Sequence, residues 1–266
     1  MNRLKIGIRL ESLGLPLRRA LQEVQRLGVA GVQADAAGDL SPRTLSQSGR
    51  REFLHLLRSY NLELTALGCP LRRGLDTAED QQQRVEHTEA VLSLSVDLGA
   101  RIVIVQAGRI PEKADDARAV LLTEALRALG RHGDRVGAVL ALETGLESGA
   151  VLRAFLERFD TGGLGVNLDP ANLLMHDFDP YESARALRGK VVHTHATDAR
   201  QASVSWGSAQ EVPLGHGNID WLHYLGVLEE IEYRGWLTIE REGGGNRVAD
   251  VAAGVGFLRR LVGSQE

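Results

Sequence analysis

A single cysteine, Cys69, excludes an internal disulfide across 266 residues and fits a reducing compartment. No apolar run is long enough to span a bilayer. The opening residues MNRLKIGIRLES carry Lys5, Arg9 and Glu11 where a secretion signal needs an unbroken apolar stretch, so a cytoplasmic protein is expected. No basic block stands out and the net charge is −4. That argues against a chain built to neutralise nucleic-acid phosphate and against a polybasic membrane anchor. No low-complexity linker divides the chain, and the reading is one domain over residues 1–266. The first β-rich run is followed by ESLGLPL, so the glycine fingerprint of an open dinucleotide-binding sheet is missing as well.

What is present is an alternation. Short aliphatic runs begin at LKIGIRL (from Leu4) and recur at Val29–Asp35, Leu62–Gly68, Arg101–Gly108, Gly137–Gly145, Leu164–Pro170, Val191–Asp198 and Trp236–Glu242. Runs such as IVIV and AVLAL mark strands buried on both faces, as in a parallel sheet covered by helices. Between them lie segments of helical period. Ser41-Pro42 supplies a capping hydroxyl and a first-turn proline for a helix to about Tyr60. Asp80–Leu98 stops at Gly99, and Ala114–Leu129 stops at Gly130 in the same way. Further helices are expected over Ser148–Phe159, Pro180–Leu187, Ile219–Ile231 and Arg247–Leu261. Eight such units at about 33 residues each match a closed (β/α)₈ TIM barrel of roughly 250 residues. The 30 glycines suit its many tight connections.

A barrel of this kind builds its active site at the C-terminal ends of its strands. The fifth to eighth strands end in Glu143, Asp169, His195 and Glu240. Taken singly, a carboxylate there can cap the next helix, and His195 can be a hydrogen-bonded core residue. Taken together, four ionisable groups in one crevice would repel and desolvate one another without a cation. Three carboxylates and an imidazole suit one Mn²⁺, Mg²⁺, Co²⁺ or Zn²⁺, and the lone cysteine rules out a thiolate site. His193 shares the inward face of His195 but sits deeper, as a core histidine. Arg9, Gln33, Asp35 and Gln106 stand near earlier strand ends and are candidates to line the pocket. The Ala199–Asn218 segment, with Trp206 and His216, is long enough for a lid. Gly243-Gly244-Gly245 offers a turn whose N–H groups can approach an anion.

ALETG, NLDPAN, HATD (His195–Asp198), TIERE and VPLGHGNIDW (Val212–Trp221) stand in this order along the chain. In order and spacing they resemble the sugar-phosphate isomerase/epimerase and endonuclease IV-like barrels of the xylose-isomerase-like superfamily. The resemblance implies metal ligation by Glu143, Asp169, His195 and Glu240. It also implies that Glu143 and Glu240 handle a proton next to a carbonyl of a small carbohydrate-like substrate, through an enediolate. A dehydratase on the same apparatus is the nearest alternative. Two positions depart from the commoner pattern: Asn172 stands where relatives place a histidine, and His216 where they often place glutamate. With Asp198, Arg200 and Glu242, these two are the expected substrate-binding residues. A repair nuclease would need further histidines at the second and third strand ends, which read VQADAAG and ALGCP. No nucleic-acid or membrane partner is expected, and homo-oligomerisation is left open.

Overall fold

The computed structural model describes residues 4–111, 116–201 and 209–263. Eight parallel strands close into a barrel. They are β1 (Lys5–Arg9), β2 (Gly31–Asp35), β3 (Glu63–Gly68), β4 (Ile102–Val105), β5 (Val139–Glu143), β6 (Leu164–Leu168), β7 (Val191–Ala196) and, after two short extra strands, β10 (Trp236–Ile239). Each strand pairs with its predecessor in the barrel, and β10 returns to β1 with Lys5 opposite Trp236 and Ile8 opposite Ile239. The helices outside are α1 (Leu17–Arg26), α2 (Gln47–Ser59), α3 (Gln81–Asp97), α4 (Ala117–Val136) and α5 (Gly149–Leu156). They continue with α6 (Pro170–Met175), α7 (Pro180–Ala186), α8 (Trp221–Glu230) and α9 (Arg247–Gly263). Their apolar faces join the outward side chains of the strands in one buried layer that includes Leu21, Leu92, Leu126, Leu152 and Tyr224.

The interior is a separate environment. A small apolar cluster of Ala66, Ile104 and Ala141 fills part of it. Above that lie buried polar groups, among them Gln33, Asn167, His193, His195 and Thr238. At the floor, the Trp236 ring occupies the space that a Cβ on Gly31 would need. Any side chain at residue 31 would expel the ring.

Three expectations for the elements are corrected. Helix α2 begins at Gln47, capped by Ser46, whose hydroxyl accepts from Gly49 N–H, while Ser41 bonds Thr44 in a preceding turn. Helix α4 runs straight through Gly130 and ends at Gly137 (φ 79°). Gly130 and Gly133 are instead contact points: a Cβ at either would press on the Thr161–Gly163 turn or on the Ala138 carbonyl. Close approach of neighbouring groups, side chains at Gly130 and backbone at Gly133, rather than a positive φ, demands those glycines. Finally, the chain after β7 does not run on as one strand into an open loop. It forms β8 (Asp198–Arg200) paired antiparallel with β9 (Gln210–Val212).

Candidate metal centre

Glu143 is the last residue of β5, Asp169 follows β6, His195 lies near the end of β7 and Glu240 follows β10. The closed barrel brings these ends together, and one ligand atom from each falls within 4.8 Å of all the others. His195 Nδ1 is the hub, 2.8 Å from Glu143 Oε1, 2.8 Å from Glu240 Oε2 and 3.6 Å from Asp169 Oδ2. All but Glu143 are buried, and Glu143 is nearly so.

The surrounding groups aim these atoms. His195 Nε2 stands 2.9 Å from Gln33 Oε1, a bond that crosses the barrel interior from β7 to β2. The amide oxygen can only accept, so the proton sits on Nε2 and leaves Nδ1 facing the carboxylates, as a ligating histidine requires. Asn167 Nδ2 lies 3.1 Å from Glu143 Oε1 and 3.0 Å from His195 Nδ1. Its Oδ1 meets His193 Nδ1 at 2.8 Å, and His193 Nε2 meets the Thr238 hydroxyl at 2.9 Å. His193 is thus a neutral structural strut, and burial first and His195 second push its pKa well down. Asp169 divides its carboxylate. Oδ1 caps α6 by accepting from Asn172 N–H, while Oδ2 accepts from Thr197 and faces the hub. Capping and ligation therefore do not compete at this residue.

The electrostatics match a cation's seat. Burial lowers the His195 pKa, yet Glu240, Asp169 and Glu143 outweigh it and hold the value well above the ordinary range. Burial raises the carboxyl of Glu143, partly relieved by His195. Burial also opposes ionisation of Glu240, but His195 and Arg9 overcome it and hold this carboxylate well below the usual range. The pocket concentrates negative charge around the imidazole Nδ1, a seat for which a proton and a divalent ion such as Mg²⁺, Mn²⁺ or Zn²⁺ would compete.

The pocket over the cluster is lined by Arg9, Gln33, Asp35 and Gln106, with Asn172 and Glu242 at its edge. Arg9 bonds Asp35 at 2.8 Å, Glu240 at short range, and Glu242 at 3.2 Å. Gln106 Nε2 donates to Glu143 Oε2 at 3.1 Å. Cys69 also lines it, and burial pushes its thiol up to about 11, so it is no nucleophile at neutral pH.

Three expected substrate-binding residues lie outside this lining. Asp198 is buried, and its oxygens accept from the N–H groups of Ala199, Gly215, Gly217 and Ile219 and from the Trp221 indole. With every lone pair engaged by the loop, it is an anchor for the chain after β7. Arg200 is exposed and donates to the His216 carbonyl, and the His216 side chain is exposed too. Trp206 and the centre of the expected lid lie outside the described residues. Of the Gly243-Gly244-Gly245 run, Gly243 presents its N–H to an anion, but the anion is internal. Glu211 on β9 accepts from Glu242 and Gly243 N–H at 3.0 and 2.9 Å. Glu211 and Asn167 are the residues sequence reasoning missed. Asn167 carries a weak signal, two positions before Asp169 on the inward face. Glu211 carries none, because its partners are 31 and 32 residues away.

Two outcomes follow from this geometry. Gln33→Leu removes the acceptor that fixes the His195 tautomer, and metal affinity should fall about 10–100-fold. A metal titration showing wild-type affinity would take that orienting role from Gln33. Glu147, on the loop after β5, accepts from Ile110 N–H at 3.3 Å, and burial raises its carboxyl from 4.5 to about 7. A folded-state pKa above the unfolded one means that the native state holds the extra proton. The contribution of Glu147 to stability is then fully present below pH 4.5 and is lost as pH rises through about 7. Glu147→Gln should flatten that decline and stabilise the protein at pH 8 by on the order of 1–3 kcal/mol. Parallel urea-unfolding curves for the two proteins across this range would contradict the assignment.

Fold and cluster together define a (β/α)₈ barrel with a candidate cation site in its C-terminal mouth. The chain belongs to the xylose isomerase-like TIM barrel family, whose family model matches residues 21–261. A xylose isomerase domain protein from Planctomyces limnophilus is 27% identical, with a TM-score of 0.87 and 97% of each chain covered. An L-ribulose 3-epimerase is 18% identical with a TM-score of 0.80, covering 98% of this chain and 95% of its own. A Bacillus anthracis protein assigned as a 3-DHS dehydratase is 18% identical with a TM-score of 0.77, covering 96% and 98%. At 18% identity the likeness is one of fold. No helix among the described residues is long and apolar enough to cross a membrane.

Proposed function

We propose that the protein is a divalent-metal-dependent isomerase or epimerase acting on a small sugar, sugar phosphate or related hydroxy-ketone by proton transfer. The observation that carries this reading is the pair of glutamates, Glu143 and Glu240, each 2.8 Å from one imidazole nitrogen and reaching it from separate strands. Bound there, a divalent ion would polarise a carbonyl and its neighbouring hydroxyl and so acidify the intervening C–H. Glu143, Asp169, His195 and Glu240 would hold it. Glu143 and Glu240 then serve as the acid–base pair, one removing the proton and the other returning it to the opposite face of the enediolate. Their second oxygens are held differently, by the neutral Gln106 amide for Glu143 and by the Arg9 guanidinium for Glu240. Asn172 and Glu242, at the pocket edge, are placed to bond substrate hydroxyls.

A dehydratase would use the same base to remove a proton beside a carbonyl and expel a β-hydroxyl, and the B. anthracis protein supports keeping that reading second. Metal analysis of purified protein, with ketoses, inososes and hydroxypyruvate incubated in D₂O, tests both. Deuterium on carbon without loss of water supports the isomerase. Loss of water to an enone supports the dehydratase. Turnover that survives complete removal of metal overturns both.

A further inference from the structure

The loops after β2 and β3, with the outward face of α3, enclose a second cavity of about 770 Å³. Pro70 and Leu71 line both this groove and the pocket over the cluster, so the two adjoin across the start of the β3–α3 loop. Their charges are opposite in character. The inner pocket sets six carboxylates (Asp35, Glu143, Asp169, Glu211, Glu240 and Glu242) against Arg9 and His195. Even with a divalent ion bound it stays negative, and it would repel an anionic group on the substrate. The outer groove is lined by Arg43, Arg72, Arg73 and Arg84.

Four arginines face three acids in the groove, a formal excess of one positive charge, and among the described residues none of the acids pairs with Arg43 or Arg72. Glu79 pairs with Arg73, Glu86 accepts from the Gln82 amide, and Asp80 is the third acid there. Arg84 spends its terminal nitrogens on the backbone carbonyls of Glu79 and Thr77 rather than on a carboxylate. Its Nε is buried without a partner. Arg43 and Arg72 have no hydrogen bond or ion pair among the described residues. His87 completes the wall, held neutral by burial and by the charge of Arg43, and so free to offer a single N–H.

We propose that this groove seats an anionic group, a phosphate or carboxylate, carried by the substrate at the end remote from its reacting carbons and bound by Arg43 and Arg72. The substrate would then be an acidic sugar derivative whose neutral hydroxy-ketone end enters the cluster while its anion stays outside, over Pro70 and Leu71. Guanidinium forks are suited to both anions, and their exposure makes the attraction salt-sensitive. The proposal rests on the reading of the cluster as a site of sugar chemistry, but the groove can be tested apart from it.

The first experiment uses inorganic phosphate as the probe on metal-loaded protein, titrated calorimetrically without turnover. In Arg43→Ser/Arg72→Ser, whose altered side chains are exposed and leave the core intact, phosphate affinity should fall roughly 10-fold or more. Binding to the wild type should also weaken as ionic strength rises. Equal affinity in both proteins would place phosphate elsewhere, on the metal for instance, and overturn the proposal, as would no phosphate binding to the wild type. The second experiment compares deuterium exchange from D₂O into a ketose, its terminal phosphate and its terminal carboxylic acid. Preference for one acid form identifies the anion. That preference should vanish in the double variant through a raised KM, while the neutral ketose reacts as before. No preference for either acid over the neutral sugar overturns the proposal. Exchange into no sugar at all, with phosphate binding still dependent on Arg43 and Arg72, would overturn the sugar reading and leave the anion site standing.

Discussion

Glu143→Gln and Glu240→Gln should each lower turnover by at least about 10²-fold, the lower end of a general acid–base contribution. Glutamine keeps the shape of the side chain and an oxygen able to accept, but it can neither take nor return a proton at neutral pH. The packing around both residues favours a clean substitution. Asn167 can still donate to an amide oxygen at residue 143 while Gln106 turns its own amide to accept from the new NH2 group, and Arg9 can donate to an amide oxygen at residue 240. Loss of metal would imitate the result, so metal content is measured beside the rates. Wild-type product formed in D₂O should carry deuterium on carbon. A hydride shift between carbons would instead keep the substrate's own hydrogen. It also calls for a second cation close by, and the described residues offer one group of four ligands. Retention of all substrate hydrogen, with both glutamine variants active and metal-loaded, would remove the proton-transfer mechanism.

The second large effect is expected at His195. His195→Ala deletes the one nitrogen donor and also the group at which three carboxylates meet. Glu143, Asp169 and Glu240 are then left with Arg9, on Glu240, as the one cation bonded to any of them among the described residues. Metal affinity and activity should fall together, each by at least about 10²-fold, since a lost direct ligand costs more than the 10–100-fold of a supporting partner. Unfolding should show the loss too, because the metal stabilises the native state in proportion to its affinity. Full metal occupancy in the variant would take His195 out of the coordination shell.

Much of the barrel was legible because burial on both faces leaves a strand no polar positions. IVIV over Ile102–Val105 and VLALE over Val139–Glu143 could be nothing but covered strands, and each ends where the pattern breaks. The same break exposed the site, since Glu143, Asp169, His195 and Glu240 interrupt aliphatic runs at their C-terminal ends. Helix ends were less legible. Gly130 looked like a stop because a glycine after an apolar stretch usually is one, and its real constraint, the Thr161–Gly163 turn pressed against it, lies some 31 residues away. Asp198, Arg200 and His216 looked like substrate residues because they flank His195 in the chain. In space Asp198 is bound up in loop N–H groups and the other two face solvent, placements that neighbourhood in the chain does not reveal.

The chain's local chemistry determined the architecture, because strand burial and strand-end carboxylates are properties of contiguous residues and repeat in every βα unit. Tertiary structure alone decided which groups support the cluster. Gln33 meets His195 across 162 positions of chain and Arg9 meets Glu240 across 231, so closure of β10 onto β1 is what brings them together. Periodicity places a side chain on a face, but no pattern within one segment specifies its partner on the far side of a closed sheet.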